Sequence, residues 1–313
     1  MRVAVVGVGG VGGYFGGRLA QSGVEVVFVA RGETLAALRG SGLRVDSIAG
    51  DFAVRPVRAA GSPAEAGPAD VVLVAVKAWQ VEALAPTLEP LLAPGAVVVP
   101  LENGVEAAEQ LAAALGREQV APGICHIVAS VVAPGHVRHA GIDPRIAFGE
   151  FDDRPSPRLE QLREAFARAG VDARIPADIA VALWEKFLFI ASLSGLGALT
   201  RVPAGALRSL PATRDLLVRA MEEIVAVAQA RGTRLPADAV ARTLAFVDGL
   251  PEGATASMQR DVMAGRPAAL AAQNGAVVRL GEAAGVPTPV NRFVYAALLP
   301  QERRAREAAP AAG

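Results

Sequence analysis

The sequence has few of the residues that carry disulfide, metal or nucleic-acid chemistry. Its 313 residues include one cysteine, Cys125, and three histidines, which excludes an intramolecular disulfide and makes a zinc site unexpected. Thirty-one lysines and arginines balance 31 aspartates and glutamates, and this neutrality gives no support for a nucleic-acid partner. Aromatic residues make up 4% of the chain but hydrophobic residues 52%, so a disordered polyelectrolyte is excluded and there is enough apolar surface for two cores.

Long apolar runs that would direct the chain to a membrane are also missing. Met1–Val6 passes straight into glycines, without the longer apolar stretch and cleavage site of a signal peptide. The most apolar later stretch, Ala182–Leu199, contains Glu185 and Lys186, whose burial in hydrocarbon would be costly. We therefore expect a buried helix there, no membrane partner and a cytoplasmic protein.

The first half of the chain alternates Val-rich runs with helical patterns. Four runs lack two-residue alternation, as is typical of strands buried on both faces of a parallel sheet, and these are Arg2–Gly7, Val24–Ala30, Asp70–Val76 and Ala96–Leu101. The helices predicted around them are Gly10–Ser22, Glu33–Arg39, Trp79–Leu92 and Glu106–Leu115. Antiparallel strands are expected from Pro122 to Phe148, extending that sheet or covering its edge.

Beyond Pro176 the strand signals almost vanish. A helix over Leu159–Ala169 and a short strand over Val171–Ile175 precede this boundary. Five predicted helices follow it, over Ile179–Leu199, Ser209–Arg231, Pro236–Asp248, Ala268–Ala284 and Val290–Pro300. The charged, Ala-rich tail from Gln301 is expected to fray. The sequence thus predicts an α/β domain over residues 1–176 and an all-α domain over residues 177–313.

A glycine-rich motif of the form G-x-G-x-x-G stands near the start of the chain, at Gly7, Val8, Gly9, Gly10, Val11 and Gly12. It follows an apolar strand and opens a helical pattern, a context that favours a nucleotide site over a glycine-rich turn without ligand. Gly7 permits the tight turn, Gly9 lets a pyrophosphate approach the backbone, and Gly12 allows close helix–strand packing. The helix N-terminus adds unpaired N–H groups and a positive dipole end for the phosphates.

The end of the second predicted strand bears on the choice of cofactor. An NAD enzyme usually places an acid there to accept hydrogen bonds from the ribose hydroxyls, but this chain has Arg31. A guanidinium binds a 2′-phosphate bidentately, whereas a carboxylate would repel it. Arg31 therefore favours NADP(H), with a solvated loop arginine as the alternative.

Two lysines stand in unusual surroundings. Lys77 follows Val71–Val76, at the carboxyl end of a predicted central strand, where the ligand crevice of an open α/β sheet lies. Lys186 lies in an almost wholly apolar segment, and partial desolvation should weaken its hold on the proton, which suits a donor to a developing alkoxide. The alternative for each is a lysine whose stem is buried and whose ammonium stays in water.

With these residues in place, the chain resembles the ketopantoate (2-dehydropantoate) 2-reductase family. The resemblance rests on pieces in the right order along most of the chain, namely the glycine motif, Arg31, Val76–Gln80, Glu102–Val105, Trp184–Lys186 and Thr255–Asp261. It implies a Rossmann-type NADP(H)-binding domain over residues 1–176 and a helical substrate and dimerisation domain over residues 177–313. It also implies an active site in the cleft between them.

The family's roles can be carried over residue by residue. Lys186 would be the general acid that protonates the ketone oxygen as hydride arrives from the nicotinamide, because hydride addition builds negative charge on that oxygen. Asn103 and Lys77 would lie near the nicotinamide and the substrate and position both. Ser257 would bind the substrate carboxylate. The alternative for Asn103-Gly104 is an ordinary turn, and a helix N-cap role could hold for Ser257 alongside binding.

Three positions depart from the family pattern. The family usually follows Trp-x-Lys with two asparagines on the same helix face, and these positions are Ile190 and Ser194 here. Ser194 remains a candidate substrate contact. The family's glutamate that contacts the substrate hydroxyl aligns with Ala269, which cannot form that hydrogen bond. The departures favour a larger or more apolar 2-oxo acid as an alternative substrate.

We therefore expect an NADPH-dependent reductase of a small 2-oxo acid, by resemblance the 2-dehydropantoate 2-reductase of pantothenate biosynthesis. One alternative is a related enzyme for a different, more apolar 2-oxo acid, and another is a non-catalytic NADP(H)-binding regulator. No metal is expected, and exposed apolar faces in the helical domain would suit a homodimer. We expect Cys125, His126, His136 and His139 to be structural or surface residues, and Trp184 to pack in the core.

Overall fold

The computed structural model describes residues 1–308, which form ten strands and thirteen α-helices. The strands are β1 (Arg2–Val6), β2 (Glu25–Val29), β3 (Leu43–Ser47), β4 (Phe52–Val54), β5 (Arg58–Ala60), β6 (Ala69–Val74), β7 (Leu92–Pro100), β8 (Gly123–Ala133), β9 (His136–Phe148) and β10 (Asp172–Arg174). The helices are α1 (Gly10–Gln21), α2 (Gly32–Ser41), α3 (Pro63–Ala66), α4 (Val81–Leu84), α5 (Ala107–Leu115), α6 (Pro157–Arg168), α7 (Ile179–Thr200), α8 (Ala204–Ser209), α9 (Pro211–Ala230), α10 (Ala239–Asp248), α11 (Ser257–Met263), α12 (Asn274–Ala284) and α13 (Pro289–Ala308). Contacts divide the chain into a first unit, Met1–Glu102 with Ala107–Ile179, and a second unit, Asn103–Glu106 with the helices from Ala180 onward.

The first unit is built on a parallel sheet with the strand order β5-β2-β1-β6-β7. Successive residues of its strands enter two different cores: Val3 and Val5 pack on one face, and Ala4 and Val6 on the other. Because both faces are buried, the strands carry continuous apolar runs without alternation. The predicted Rossmann-type α/β domain and the all-α region that follows it are confirmed.

A second, mixed sheet lies in the same unit, with the order β10-β9-β3-β4 and with β8 paired to β9. The predicted antiparallel hairpin of β8 and β9 exists, but it pairs within this second sheet and does not extend the parallel one. The sequence did not predict β3, β4 or β5. The strands β4 and β5 have three residues each, too few to establish a period, and β3 has two apolar residues among its five.

The helix predicted over Trp79–Leu92 is wrong. Within it α4 covers Val81–Leu84, and 3-10 turns cover Ala78–Gln80 and Ala85–Leu91. Pro90 lies inside the second 3-10 turn, where its missing N–H and fixed φ prevent a regular α-helix.

The buried core of the second unit contains residues of α7, α9 and α12. Phe187, Leu188 and Ala191 of α7 are buried together with Ile224 of α9 and Val277 of α12. Among residues 1–308, α7 is the one helix long and apolar enough to cross a membrane, yet more than half of its apolar window is buried. Its place in this core accounts for its composition without a membrane.

Three helix boundaries in this unit differ from prediction by three residues or more, and one of them is the start of α10, which lies at Ala239 and not at Pro236. The helix predicted from Ala268 begins at Asn274, since the Ala268 N–H donates to Glu302 Oε2 at 2.9 Å and the chain turns before α12 starts. The tail from Gln301 does not fray over its described part, because α13 continues to Ala308 and buries Glu302. The rest of the predicted tail, residues 309–313, lies outside the described residues.

Candidate functional site

The glycine-rich motif forms the turn between β1 and α1, at the carboxyl edge of the parallel sheet. Gly7 has φ +94°, and a Cβ there would stand 2.7 Å from the carbonyl oxygen of Ala75. A Cβ on Gly10 would stand 2.6 Å from the carbonyl oxygen of Ala129, and one on Gly12 would stand 2.0 Å from that of Gly7. The turn can therefore lie this close to the sheet and the helix because these positions lack side chains.

The turn leaves room for a ligand at Gly9. A Cβ on Gly9 would meet nothing within 4 Å in the part of the chain that the structure describes. The adjoining helix begins without a side-chain cap from residues 1–308, and its first turn holds no acid, so its first N–H groups can bind an anion. Val8 is buried and Val11 half-buried. These features fit the pyrophosphate of a dinucleotide.

Arg31 lies between β2 and α2, at the same edge of the sheet. Its side chain is exposed and has no hydrogen bond or ion pair to any described residue. By contrast Arg39, on the next helix, is engaged by Glu65. The Arg31 guanidinium keeps all its donors for a ligand, as the predicted 2′-phosphate role requires.

Lys77 follows β6, and its side chain is exposed, with Nζ 5.7 Å from the centre of the Trp79 ring. Its backbone is fixed on both sides. The Lys77 N–H donates to Gln80 Oε1 at 3.0 Å, and the Val76 N–H donates to Glu102 Oε1 at 3.0 Å. Glu102 is 8% exposed, so a buried carboxylate positions the segment that carries Lys77. No role for Glu102 follows from the sequence alone, although this residue directly follows an apolar strand in the Glu-Asn-Gly motif.

Asn103 begins a four-residue loop, Asn103–Glu106, that belongs by its contacts to the second unit. Gly104 has φ +137°, and a Cβ there would stand 3.0 Å from the carbonyl oxygen of Ala272. Val105 packs against the core of the helical unit. The loop therefore has the sharp backbone of an Asn-Gly turn, and it places the half-buried Asn103 in the unit that contains Lys186.

Lys186, Ile190 and Ser194 recur every four residues along α7 and so share one face of it. Lys186 is half-buried. Ser194 lies about 12 Å further along the helix axis, at a rise of 1.5 Å per residue. Beside Lys186, Trp184 is buried and packs edge-to-face with Phe187 at a centroid distance of 5.6 Å, so the prediction that Trp184 is a core residue is confirmed.

The Ser194 side chain is fully buried and hydrogen-bonded inside the helical unit. Its hydroxyl donates to the carbonyl oxygen of Ile190 and also bonds Oε1 of Gln273. Gln273 is fully buried too, and its Nε2 has no partner within residues 1–308, an arrangement that is normally costly. The substrate contact of Ser194 stays a prediction. Gln273 directly precedes the C-terminal Asn-Gly pair, but no local pattern in the sequence pointed to it.

Ser257 is the first residue of α11, and its side chain is exposed. The N-cap of this helix is Ala256, so the N-cap role considered for Ser257 is wrong. Ala269 is half-buried in the turns before α12, between the buried residues Ala268 and Leu270. The predicted contact of Ser257 is with the substrate carboxylate, and it stays a prediction. The contact that the family makes from position 269 is also with the substrate, and its loss at Ala269 stays a prediction too.

Two of the three histidines form hydrogen bonds within the second sheet and its turns. His139 is buried, with Nδ1 2.9 Å from Ser47 Oγ and Nε2 2.8 Å from the carbonyl oxygen of Ile142. His136 bonds Asp46 at 2.8 Å, and this bond, with help from an arginine, lowers the pKa of Asp46 below its ordinary value. Cys125 is buried and His126 exposed. Across residues 1–308 no three histidine, cysteine or acidic side chains are grouped as metal ligands.

The two halves of the chain match the sequence models of the two domains of one family. Residues 3–153 match the model described as "Ketopantoate reductase PanE/ApbA". Residues 178–302 match the model described as "Ketopantoate reductase PanE/ApbA C terminal". Together these matches cover nearly the whole described chain.

Individual relatives match over nearly their full lengths. An uncharacterised oxidoreductase of Bacillus subtilis (strain 168), YkpB, is 31% identical over 95% of this chain and 98% of that protein. A 2-dehydropantoate 2-reductase of Mesorhizobium japonicum is 30% identical over 95% of this chain and 96% of that protein. The crystal structure of a PanE/ApbA family ketopantoate reductase from Ralstonia eutropha JMP134 has a TM-score of 0.89 at 33% identity, covering 98% of this chain and 100% of that chain.

Proposed function

This chain belongs to the ketopantoate reductase family and is an oxidoreductase, and on that premise we propose that it reduces a small 2-oxo acid to a 2-hydroxy acid with NADPH. The first substrate we propose is 2-dehydropantoate, the substrate named for the Mesorhizobium japonicum relative. Its product, pantoate, would place the enzyme in pantothenate biosynthesis, and we assign the protein to the cytoplasm.

The observation that carries the proposal is the half-buried Lys186 on a helix that is otherwise almost wholly apolar. Reduction of a ketone adds hydride to the carbonyl carbon and a proton to the oxygen. A bound nicotinamide supplies the hydride. Lys186 holds the proton on Nζ and gives it to the oxygen as negative charge builds there, which lowers the barrier because the ammonium interacts more strongly with the transition state than with the ketone. The neutral amine then takes a proton from water.

The remaining residues bind and orient. The turn from Gly7 to Gly12 would hold the pyrophosphate against backbone N–H groups, and the open space at Gly9 supports this. Arg31 would bind the 2′-phosphate, which favours NADPH over NADH. Lys77 and Asn103 would position nicotinamide and substrate, Ser257 would donate to the substrate carboxylate, and Ser194 would complete the polar part of the pocket.

Two other functions follow from particular residues. Ile190 and Ala269 favour a 2-oxo acid with a more apolar side chain, because neither can bond a substrate hydroxyl. A non-catalytic NADP(H)-binding regulator would retain the glycine turn and Arg31 but would not need the half-buried Lys186.

A steady-state panel separates these functions. The purified protein is assayed with 2-dehydropantoate, 2-oxobutyrate, 2-oxoisovalerate and 2-oxo-4-methylpentanoate, each with NADPH and with NADH, and nucleotide binding is measured in parallel. The first proposal is supported if 2-dehydropantoate with NADPH gives the highest kcat/KM. The second is supported if a branched apolar acid gives the highest kcat/KM. Nucleotide binding without turnover of any acid would overturn the reductase and leave the regulator.

A further inference from the structure

Arg279 of α12 makes two contacts that reach the Asn103–Glu106 loop and the turn beside it. Its Nη2 donates to Glu106 Oε2 at 2.6 Å and to the carbonyl oxygen of Ala271 at 2.9 Å. Glu106 and Arg279 are separated by 173 positions in the sequence, and both belong to the helical unit. One guanidinium thus joins the acidic end of the loop to the chain segment just before α12.

Backbone packing holds the other end of the loop on the same segment. Gly104 lies so close to the Ala272 carbonyl oxygen that a Cβ would stand 3.0 Å from it, and Val105 packs against the helical core. The residues on either side of the loop, Glu102 and Ala107, belong to the first unit. The chain therefore enters the helical unit for four residues only and needs contacts of its own to stay there.

We propose that Arg279 is a positioning residue, which fixes Asn103 by clamping the Asn103–Glu106 loop to the helical unit. The proposal deepens the proposed function and rests on it, because Asn103 is there a residue that positions substrate and nicotinamide. When Arg279 contacts Glu106, Asn103 is held by the unit that also contains Lys186. Arg279 is assigned no contact with substrate or cofactor, and its effect passes through the loop. Small displacements of an orienting group slow a reaction strongly.

The ion pair between Arg292 and Glu282 provides a matched control. It joins α13 to α12 in the same unit at 2.7 Å, and the two arginines are similarly exposed, Arg292 at 54% and Arg279 at 48%, although Glu282 at 55% is more exposed than Glu106 at 23%. Because an exposed ion pair contributes little to global stability, neither Arg279→Met nor Arg292→Met should shift the urea midpoint appreciably. Differences between the two variants then report on the loop and not on folding.

The test compares wild type, Arg279→Met, Arg292→Met and the charge-swapped double variant Glu106→Arg/Arg279→Glu. Arg279→Met should lower kcat/KM for the oxo acid about tenfold, with a much smaller change in the Kd of NADPH, because the glycine turn and Arg31 proposed to bind the phosphates lie in the other unit. Arg292→Met should behave as wild type. The double variant should recover part of the loss, since the ion pair is restored with its signs exchanged but a glutamate cannot donate to the Ala271 carbonyl oxygen.

Amide hydrogen exchange gives a second readout that does not depend on turnover. The peptide containing Asn103–Glu106 should exchange faster in Arg279→Met than in wild type or Arg292→Met. Equal exchange and equal kcat/KM in the two single variants would overturn the clamp. If wild type reduces no oxo acid, the proposed function fails, and the exchange experiment still decides whether Arg279 fixes the loop.

Discussion

Gly12 and Gly7 approach each other so closely that a Cβ on Gly12 would stand 2.0 Å from the Gly7 carbonyl oxygen. Gly7 is in turn pressed against the carbonyl oxygen of Ala75, beyond the end of β6. The nucleotide turn, the start of α1 and the chain leading to Lys77 are therefore packed as one block. A side chain at Gly12 must displace backbone atoms and not another side chain, so the substitution should destabilise the fold.

Alanine at Gly12 and at Gly9 should have different effects. Gly12→Ala should lower both stability and NADPH affinity, because the helix start must move away from the turn. Gly9→Ala should leave stability nearly unchanged but weaken NADPH binding, since its methyl would enter the space left for the pyrophosphate. Urea unfolding and fluorescence titration measure the two effects. Gly40→Ala, on α2 with open space around it, is the control, and wild-type affinity in Gly9→Ala would contradict the assigned site.

Removal of the Arg31 guanidinium should change the choice of cofactor. We expect Arg31→Gln to weaken NADPH binding about 10- to 100-fold, the amount that charge-assisted hydrogen bonds to a phosphate contribute, and to leave NADH binding unchanged. The two Kd values, measured at one ionic strength, check this. A parallel loss for both nucleotides would mean that Arg31 supports the fold of the turn and not the 2′-phosphate.

Replacement of Lys186 should separate chemistry from binding. Lys186→Ala should reduce kcat about 100- to 10,000-fold, the range for loss of a general acid, with little change in the Kd of NADPH. Single-turnover reduction with saturating cofactor measures the chemical step directly. If kcat and nucleotide affinity fell together, Lys186 would be a structural residue of α7.

A carboxylate at position 269 should move substrate preference toward a hydroxylated acid. If the enzyme prefers an apolar 2-oxo acid, Ala269→Glu should raise kcat/KM for the hydroxylated substrate, 2-dehydropantoate, relative to that acid by about tenfold or more, because a hydroxyl partner is gained. Two further variants serve as comparisons. Ala269→Gln is uncharged but can form a hydrogen bond with the substrate hydroxyl, and Ala269→Leu cannot form one. An identical ratio in all three variants would show that this position does not face the substrate.

The ion pair of Glu150 and Arg158 should make stability pH-dependent. Burial raises the pKa of Glu150, but hydrogen bonds from Arg158 at 2.9 and 2.8 Å, a hydrogen bond from Ser156 and the charge of Arg158 together outweigh it, and the pKa lies below its ordinary value of 4.5. At pH values between the lowered pKa of the folded chain and the ordinary pKa of 4.5, the unfolded chain therefore binds more protons than the folded one. The stabilisation is complete above pH 4.5 and is lost as pH falls through the lowered pKa.

Urea unfolding of wild type and Glu150→Gln from pH 7 to pH 3 measures this effect. We expect Glu150→Gln to be less stable by about 1 kcal/mol at pH 7, with the difference shrinking below pH 4.5. The exposed Glu89→Gln is the control. A difference that stays constant down to pH 3 would contradict the assigned role.

Local sequence patterns were sufficient to predict those elements in which every residue has the same environment, such as strands buried on both faces. The runs that became β1, β2, β6 and β7 are apolar at every position because both faces of the sheet are covered, and this can be read without knowing what covers them. The segment from Trp79 to Leu92 was misjudged for the opposite reason. Its apolar residues suit a helix, but its prolines impose 3-10 turns.

The candidate site was predictable where one residue's chemistry carries the signal, as with the glycine turn, Arg31 and Lys186. It was not predictable where a role depends on a partner far along the chain. Ser194 bonds Gln273, 79 positions away, and Glu102 bonds the Val76 N–H, 26 positions away. No spacing rule links such pairs, because folding brings them together.

The amino-acid sequence by itself determined four strands of the parallel sheet, the nucleotide turn and the lysine on the apolar helix, since each follows from propensity, periodicity or a short motif. The tertiary structure decided that Asn103–Glu106, lying in sequence within the α/β half, belongs to the helical unit. That assignment depends on Arg279 and Ala272, and contacts over such separations form when distant segments pack, so no local stretch of sequence encodes them.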